Sequence, residues 1–169
     1  MITVFAVLSA GLFACSSSNN RGREDRAAMA VEPQAGIEKL PSFTVRNVAG
    51  ETVSLDSLKG KKVFINLWAT WCPPCRQEIP SIERLYSEVD KEKAVFIMLS
   101  LDESFEVAKR FAASKGLQLP IYYPAENLPD LFNVKGIPAT FIFNEEGELV
   151  KQIEGMEDYY NREYIEMLK

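Results

Sequence analysis

The sequence predicts an α/β layered domain on a central mixed β-sheet flanked by helices, and three observations carry that expectation. Continuous apolar runs at residues 63–68 (VFINLW) and 94–101 (AVFIMLSL) have the length and composition of strands buried on both faces. Apolar residues recur at helical spacing between and after these runs. The last third of the chain then reads strand, turn, strand, helix, so part of the sheet is antiparallel.

Each element has its own signal. Residues 42–48 and 51–54 flank an Ala49-Gly50 turn and read as a short hairpin. Residues 73–89 place Cys75, Ile79, Ile82, Leu85, Tyr86 and Val89 on one helical face. Phe105, Ala108, Phe111 and Ala112 give the next helix its apolar side, and Gly116 ends it. Residues 120–123 read as a short extended piece and 127–132 as one or two helical turns. Strands at 140–143 and 148–153 enclose a turn at 144–147. Tyr160, Tyr164, Met167 and Leu168 recur at the spacing of a final helix.

The chain of 169 residues is long enough for one domain with a tail, and 47% apolar residues suffice for a filled core. The net charge of −5 comes with no basic stripe, which argues against nucleic acid as a partner. There is no histidine, which removes Cys-His proteases, Ser-His hydrolases and most zinc enzymes. Cys15, Cys72 and Cys75 are the three cysteines. They are too few for a disulfide-stapled scaffold or a cysteine zinc site, so they point to reactive sulfur, with no metal and no cofactor implied.

Residues 1–14 (MITVFAVLSAGLFA) are uncharged and too short to span a bilayer comfortably. They read as a secretory signal peptide with small Ala14 before Cys15. An uncleaved anchor and a buried apolar helix are the other readings. Residues 15–36 turn polar without an apolar period and read as a flexible tether, leaving 37–169 as the domain.

The chemistry lies in Trp71-Cys72-Pro73-Pro74-Cys75, between the strand at 63–68 and the helix at 73–89. A cysteine at a helix N-terminus has its thiolate stabilised by the helix dipole and by free backbone N–H groups. Two intervening residues bring the second sulfur within disulfide reach, and prolines suit the first helical turn. Cys72 is the expected nucleophile and Cys75 the resolving thiol. Half a zinc site or a structural disulfide would share the spacing. For a peroxide-reducing cysteine and its resolver that spacing is tight.

The stretch FINLWATWCPPCRQEIP, followed later by Ile137-Pro138-Ala139-Thr140, resembles the thioredoxin superfamily. Within it, the sequence is similar to the extracytoplasmic, membrane-tethered branch that includes TlpA/ResA-like and cytochrome c maturation reductases. The resemblance covers about residues 40–169. It implies a thioredoxin fold with an N-terminal hairpin and a short mid-domain insertion. Leu12-Phe13-Ala14-Cys15 likewise resembles a bacterial lipobox, which implies lipidation of Cys15 and a membrane-anchored protein on the periplasmic side.

Several roles follow from that resemblance. Pro138 corresponds to the cis-proline that lies against the active disulfide, with the backbone of Ile137 pairing with substrate. Trp71, Pro73 and Pro74 are the other residues expected to face substrate. Glu78, three residues after Cys75 and among Ile79 and Ile82, corresponds to a functional glutamate; burial would raise its pKa and let it relay protons for Cys75. Asn66 stands where thioredoxin carries a buried aspartate; being neutral, it leaves that work to Glu78. Pro80 matches a helix proline of the family. The expected partners are disulfide-containing exported proteins and a DsbD/CcdA-like transmembrane reductant. An oxidase or isomerase on the same fold, and a non-catalytic peptide-binding lipoprotein, stay open as alternatives.

Overall fold

A computed structural model of the chain describes residues 36 and 38–169. The expected signal peptide, Cys15, nearly all of the tether and residue 37 lie outside the described residues. Among the described residues no helix is long and apolar enough to cross a membrane.

The element order is β1 (Thr44–Asn47), β2 (Thr52–Ser54), a 3₁₀ turn (Leu55–Leu58), β3 (Lys62–Trp68), α1 (Pro73–Glu88) and β4 (Ala94–Ser100). It continues with α2 (Phe105–Lys115), β5 (Ile121–Pro124), a 3₁₀ turn (Asp130–Phe132), β6 (Ala139–Phe143), β7 (Leu149–Glu154) and α3 (Arg162–Leu168). The strands form one seven-stranded sheet in the order β2-β1-β5-β4-β3-β6-β7. β3 and β4 run parallel, as do β4 and β5, while β1, β6 and β7 pair antiparallel with their neighbours. This is a thioredoxin-like α/β fold, as the motif order implied. The α2–β5 stretch occupies the mid-domain position where an insertion was expected.

Side-chain alternation along β3 builds a core on each side of the sheet. Phe64 and Trp68 face the side where α1 packs Cys75, Ile79, Ile82 and Leu85, joined by Ala108 of α2 and by Tyr164 and Leu168 of α3. Val63, Ile65 and Leu67 face the other side, which Leu40, Phe43, Leu55, Leu58 and Phe132 cover. The three α-helices among the described residues therefore serve one face, and the opposite face is covered by the N-terminal strap (residues 38–43) and the two 3₁₀ turns. The turn Leu55–Leu58 was not anticipated; it opens on Ser54, whose Oγ accepts from the Asp56 N–H at 3.3 Å.

The final helix also differs from its expected start. Tyr160 is 41% exposed and precedes the N-cap Asn161, whereas the neighbouring Tyr159 is fully buried. A helical period extended back across the cap assigns the wrong tyrosine to the core.

Candidate active site

The register of the sheet assembles the site. Ala139 at the start of β6 pairs with Leu67 near the end of β3. Pro138 therefore lies beside the point where the chain leaves β3 for the cysteines. That exit is held by backbone bonds from Leu101 N to Trp68 O at 2.8 Å and from Cys72 N to Ala69 O at 3.1 Å. Asp102, just beyond β4 and 4% exposed, accepts from Thr70 N at 3.1 Å, from Thr70 Oγ1 at 2.7 Å and from Ser100 Oγ at 2.9 Å.

Cys72 is the N-cap of α1, and Pro73 and Pro74 occupy its first two positions. Two of the helix's unpaired N–H groups are thereby absent, and that of Cys75 is directed at Cys72 Sγ at 3.2 Å. The two sulfurs are bonded, with Cα atoms 5.3 Å apart. Cys72 keeps 3% of its surface and Cys75 none, so Cys72 is the sulfur a substrate reaches.

The Ile137–Pro138 bond is cis, and the Ile137 carbonyl oxygen lies 3.6 Å from Cys72 Sγ. Gly155, with a positive φ at the end of β7, donates its N–H to the Pro138 carbonyl at 2.8 Å. Trp71 is 64% exposed and, with Ile137, Leu101, Leu128, Phe132 and Val134, lines an apolar groove of about 410 Å³ beside the sulfurs. Pro73 and Pro74 do not line it. Arg76 and Pro80 are exposed on α1.

Glu78 lies on the inner side of α1 and is 2% exposed. Its Oε1 accepts from Asn66 Nδ2 at 2.7 Å and its Oε2 from Glu157 N at 3.3 Å. Burial is the largest influence and pushes the Glu78 carboxyl up to about 7, against the stabilising Asn66 and Glu157 N–H donors and with the Glu157 charge adding to the rise. Asn66 Nδ2 also donates to Thr140 Oγ1 at 2.9 Å, and Tyr159 Oη donates to the same oxygen at 2.6 Å. The buried Tyr159 phenol is held above its ordinary pKa by desolvation and then by the Glu78 charge, so it stays protonated.

The structure thus gathers Cys72, Cys75, Glu78, Trp71, Ile137 and Pro138 around one end of β3. Sequence reading missed the polar brace of Thr140 and Tyr159 and the clamp of Asp102. Thr140 was in view only as the last residue of a motif. Asp102 carried no signal beyond its position after a buried strand. Among the described residues no group of three His, Cys, Asp or Glu side chains gathers to hold a metal ion.

Comparison with known proteins agrees with this geometry. Residues 37–152 match the AhpC/TSA family. A thiol-disulfide oxidoreductase ResA from Halalkalibacterium halodurans is 34% identical over 134 residues, which cover 78% of this chain and 76% of that protein. The ResA of Bacillus subtilis is 30% identical over 131 residues, covering 76% and 73%. Among solved structures, StoA from Bacillus subtilis matches with a TM-score of 0.63 and 25% identity over 76% of this chain and all (100%) of its own. A putative thiol:disulfide interchange protein DsbE from Chlorobium tepidum matches with a TM-score of 0.67 and 25% identity over 77% and 92%.

Proposed function

The chain belongs to the AhpC/TSA family and is a thiol–disulfide oxidoreductase, and we propose that it reduces disulfides of exported proteins outside the cytoplasm while tethered to a membrane through Cys15. The observation that carries the reading is the Cys72–Cys75 pair at the N-terminus of α1, with Cys72 against the Ile137–Pro138 loop.

In the reduced protein the Cys72 thiolate attacks one sulfur of a substrate disulfide. A Cys72–substrate bond forms and the substrate's other sulfur leaves as a thiolate, which takes up a proton. The partly charged end of α1 and the Cys75 N–H favour the Cys72 thiolate that starts this step. Cys75 then loses its proton to Glu78 and attacks Cys72; the second substrate sulfur leaves as a thiolate that takes up a proton from water, and the Cys72–Cys75 disulfide closes. Two electrons and two protons pass to the substrate. A carboxyl that titrates near neutrality suits both taking that proton and giving it back. Ile137 offers its backbone to an extended substrate segment, and the groove beside Trp71 receives apolar side chains flanking the substrate cysteine.

A DsbD/CcdA-like transmembrane dithiol would return the protein to its reduced state. The resemblance of the lipobox and of the cysteine motif to membrane-tethered reductases supports the location and the direction.

The test is the equilibrium reduction potential of the Cys72–Cys75 pair, read from Trp68 and Trp71 fluorescence in graded thiol buffers. A value near about −270 mV or lower is expected for a reductase fed by a membrane donor. A value near about −120 mV would make the protein a disulfide donor and overturn the direction proposed here.

A further inference from the structure

Asn66 is fully buried on β3, and its carbonyl oxygen Oδ1 has no hydrogen-bond partner among the described residues. A buried, unpartnered acceptor lowers stability. A leucine of similar size would fill the same space, on a strand face that already carries Phe64 and Trp68, without the orphaned Oδ1. Packing alone therefore gives no reason for a carboxamide here.

What the carboxamide does is donate twice. One Nδ2 hydrogen goes to Glu78 Oε1 at 2.7 Å and the other to Thr140 Oγ1 at 2.9 Å. Turned the other way, Oδ1 would face a carboxylate oxygen and both hydrogens would be stranded. Thr140 is fixed in turn by the Tyr159 hydroxyl at 2.6 Å. The two oxygens of Glu78 thus have different surroundings. Oε1 is enclosed against the sheet, while Oε2 meets the Glu157 N–H beside a surface cleft of about 410 Å³ lined by Gln77, Ser81, Arg84, Met156 and Asp158.

We propose that Asn66 is a positioning residue for disulfide exchange: its carboxamide, braced by Thr140 and Tyr159, keeps Glu78 Oε1 a permanent hydrogen-bond acceptor and makes Oε2, on the cleft side, the oxygen that takes and gives the proton. The inference rests on the reading of Glu78 as the proton acceptor for Cys75. In the resolving step the proton leaves Cys75 Sγ for Glu78 Oε2 while the Asn66–Oε1 bond persists, and it is then lost to water in the cleft. The titratable and charged groups around Glu78 are Glu157 and Asp158 from the segment before α3, Arg84 on α1 and the buried phenol of Tyr159; Cys75 lies one turn earlier on the same helix.

The experiment uses the full reduced chain and oxidised glutathione at concentrations where resolution by Cys75 limits the rate, followed by tryptophan fluorescence across pH. The wild type should show a step in rate with its midpoint near 7, where the Glu78 carboxyl titrates. Glu78→Gln should abolish that step. Asn66→Ala removes the donor that favours ionised Glu78, so its midpoint should move up by about one pH unit. The rate would fall roughly fivefold at pH 7 and recover at higher pH. Asn66→Asp keeps the size but sets a carboxylate beside Glu78, and should move the midpoint at least as far; it carries the test if the alanine variant does not fold. An Asn66 variant that is slower by the same factor at every pH, with an unmoved midpoint, would show a merely structural role and overturn the proposal alone. Persistence of the wild-type step in Glu78→Gln would overturn the role of Glu78 and this proposal together.

Discussion

The carboxyl of Glu78 is enclosed between α1 and the sheet, and ionising it there is harder than in an unfolded chain. Its pKa rises from 4.5 to about 7 on folding. Below the unfolded value the group is protonated in both states and its contribution to stability is complete. As pH rises through this window the unfolded chain ionises first, and stability is lost until the folded carboxyl ionises too. The loss is on the order of 3 kcal/mol. We predict that Glu78→Gln removes this dependence: the stability of the variant relative to wild type, from urea unfolding, should increase from acid to mildly alkaline pH. A pH-independent difference would mean that Glu78 titrates as an ordinary surface glutamate. The anomaly at Glu78 is legible in the sequence, as a charge on an apolar helical face. Its partners are less so, because Thr140 lies 74 residues from Asn66 and Tyr159 a further 19 along. No local period ties a strand threonine and a loop tyrosine to a helix glutamate; only closure of the sheet does.

Among the elements, the central strands and α1 follow from sequence because their signals are local: an apolar run makes β3, and a proline-opened amphipathic stretch makes α1. What joins these elements is not local. The loop between β3 and α1 depends on Asp102 at the end of β4, which takes hydrogen bonds from the backbone and hydroxyl of Thr70 and from Ser100. Those bonds fix the residues immediately before Trp71 and Cys72, so the clamp links the parallel strand pair to the start of the helix. Asp102→Ala leaves two hydroxyls and an N–H without their acceptor in a buried setting. We predict a loss of stability of about 1–3 kcal/mol by chemical denaturation, accompanied by slower disulfide exchange. Asp102→Asn, which retains an acceptor oxygen, should lose less. If both variants match wild type in both measurements, the loop is held by its backbone bonds alone. The same dependence on distant partners explains why the turn Leu55–Leu58 escaped the reading: two leucines three apart become a helical turn only when Phe43 and Val63 give them a surface to cover.

At the scale of the whole molecule the sheet divides its duties. Among the described residues, one face carries the three α-helices and the buried Asn66–Glu78–Thr140–Tyr159 network, the other is covered by short turns and the N-terminal strap, and the sulfurs lie at one end of the sheet between the two. The groove beside Trp71 sits at that end. Among the described residues the core clusters begin at Leu40. On the reading proposed above, Cys15 serves anchoring alone: it is the third cysteine, outside the redox motif, following an apolar segment and followed by a polar one. Lipidation of that sulfur would put the thiol chemistry next to a membrane electron donor without giving Cys15 any part in it. Expressed as the full chain, Cys15→Ser should therefore move from the membrane fraction to the soluble one and lose labelling by a fatty-acid analogue. Its rate of disulfide exchange, once purified, should equal that of wild type. Retention in the membrane fraction with an unlabelled wild type would replace the lipid anchor with an uncleaved apolar segment. A fall in exchange rate would instead bring Cys15 into the redox cycle and end the separation of anchoring from chemistry.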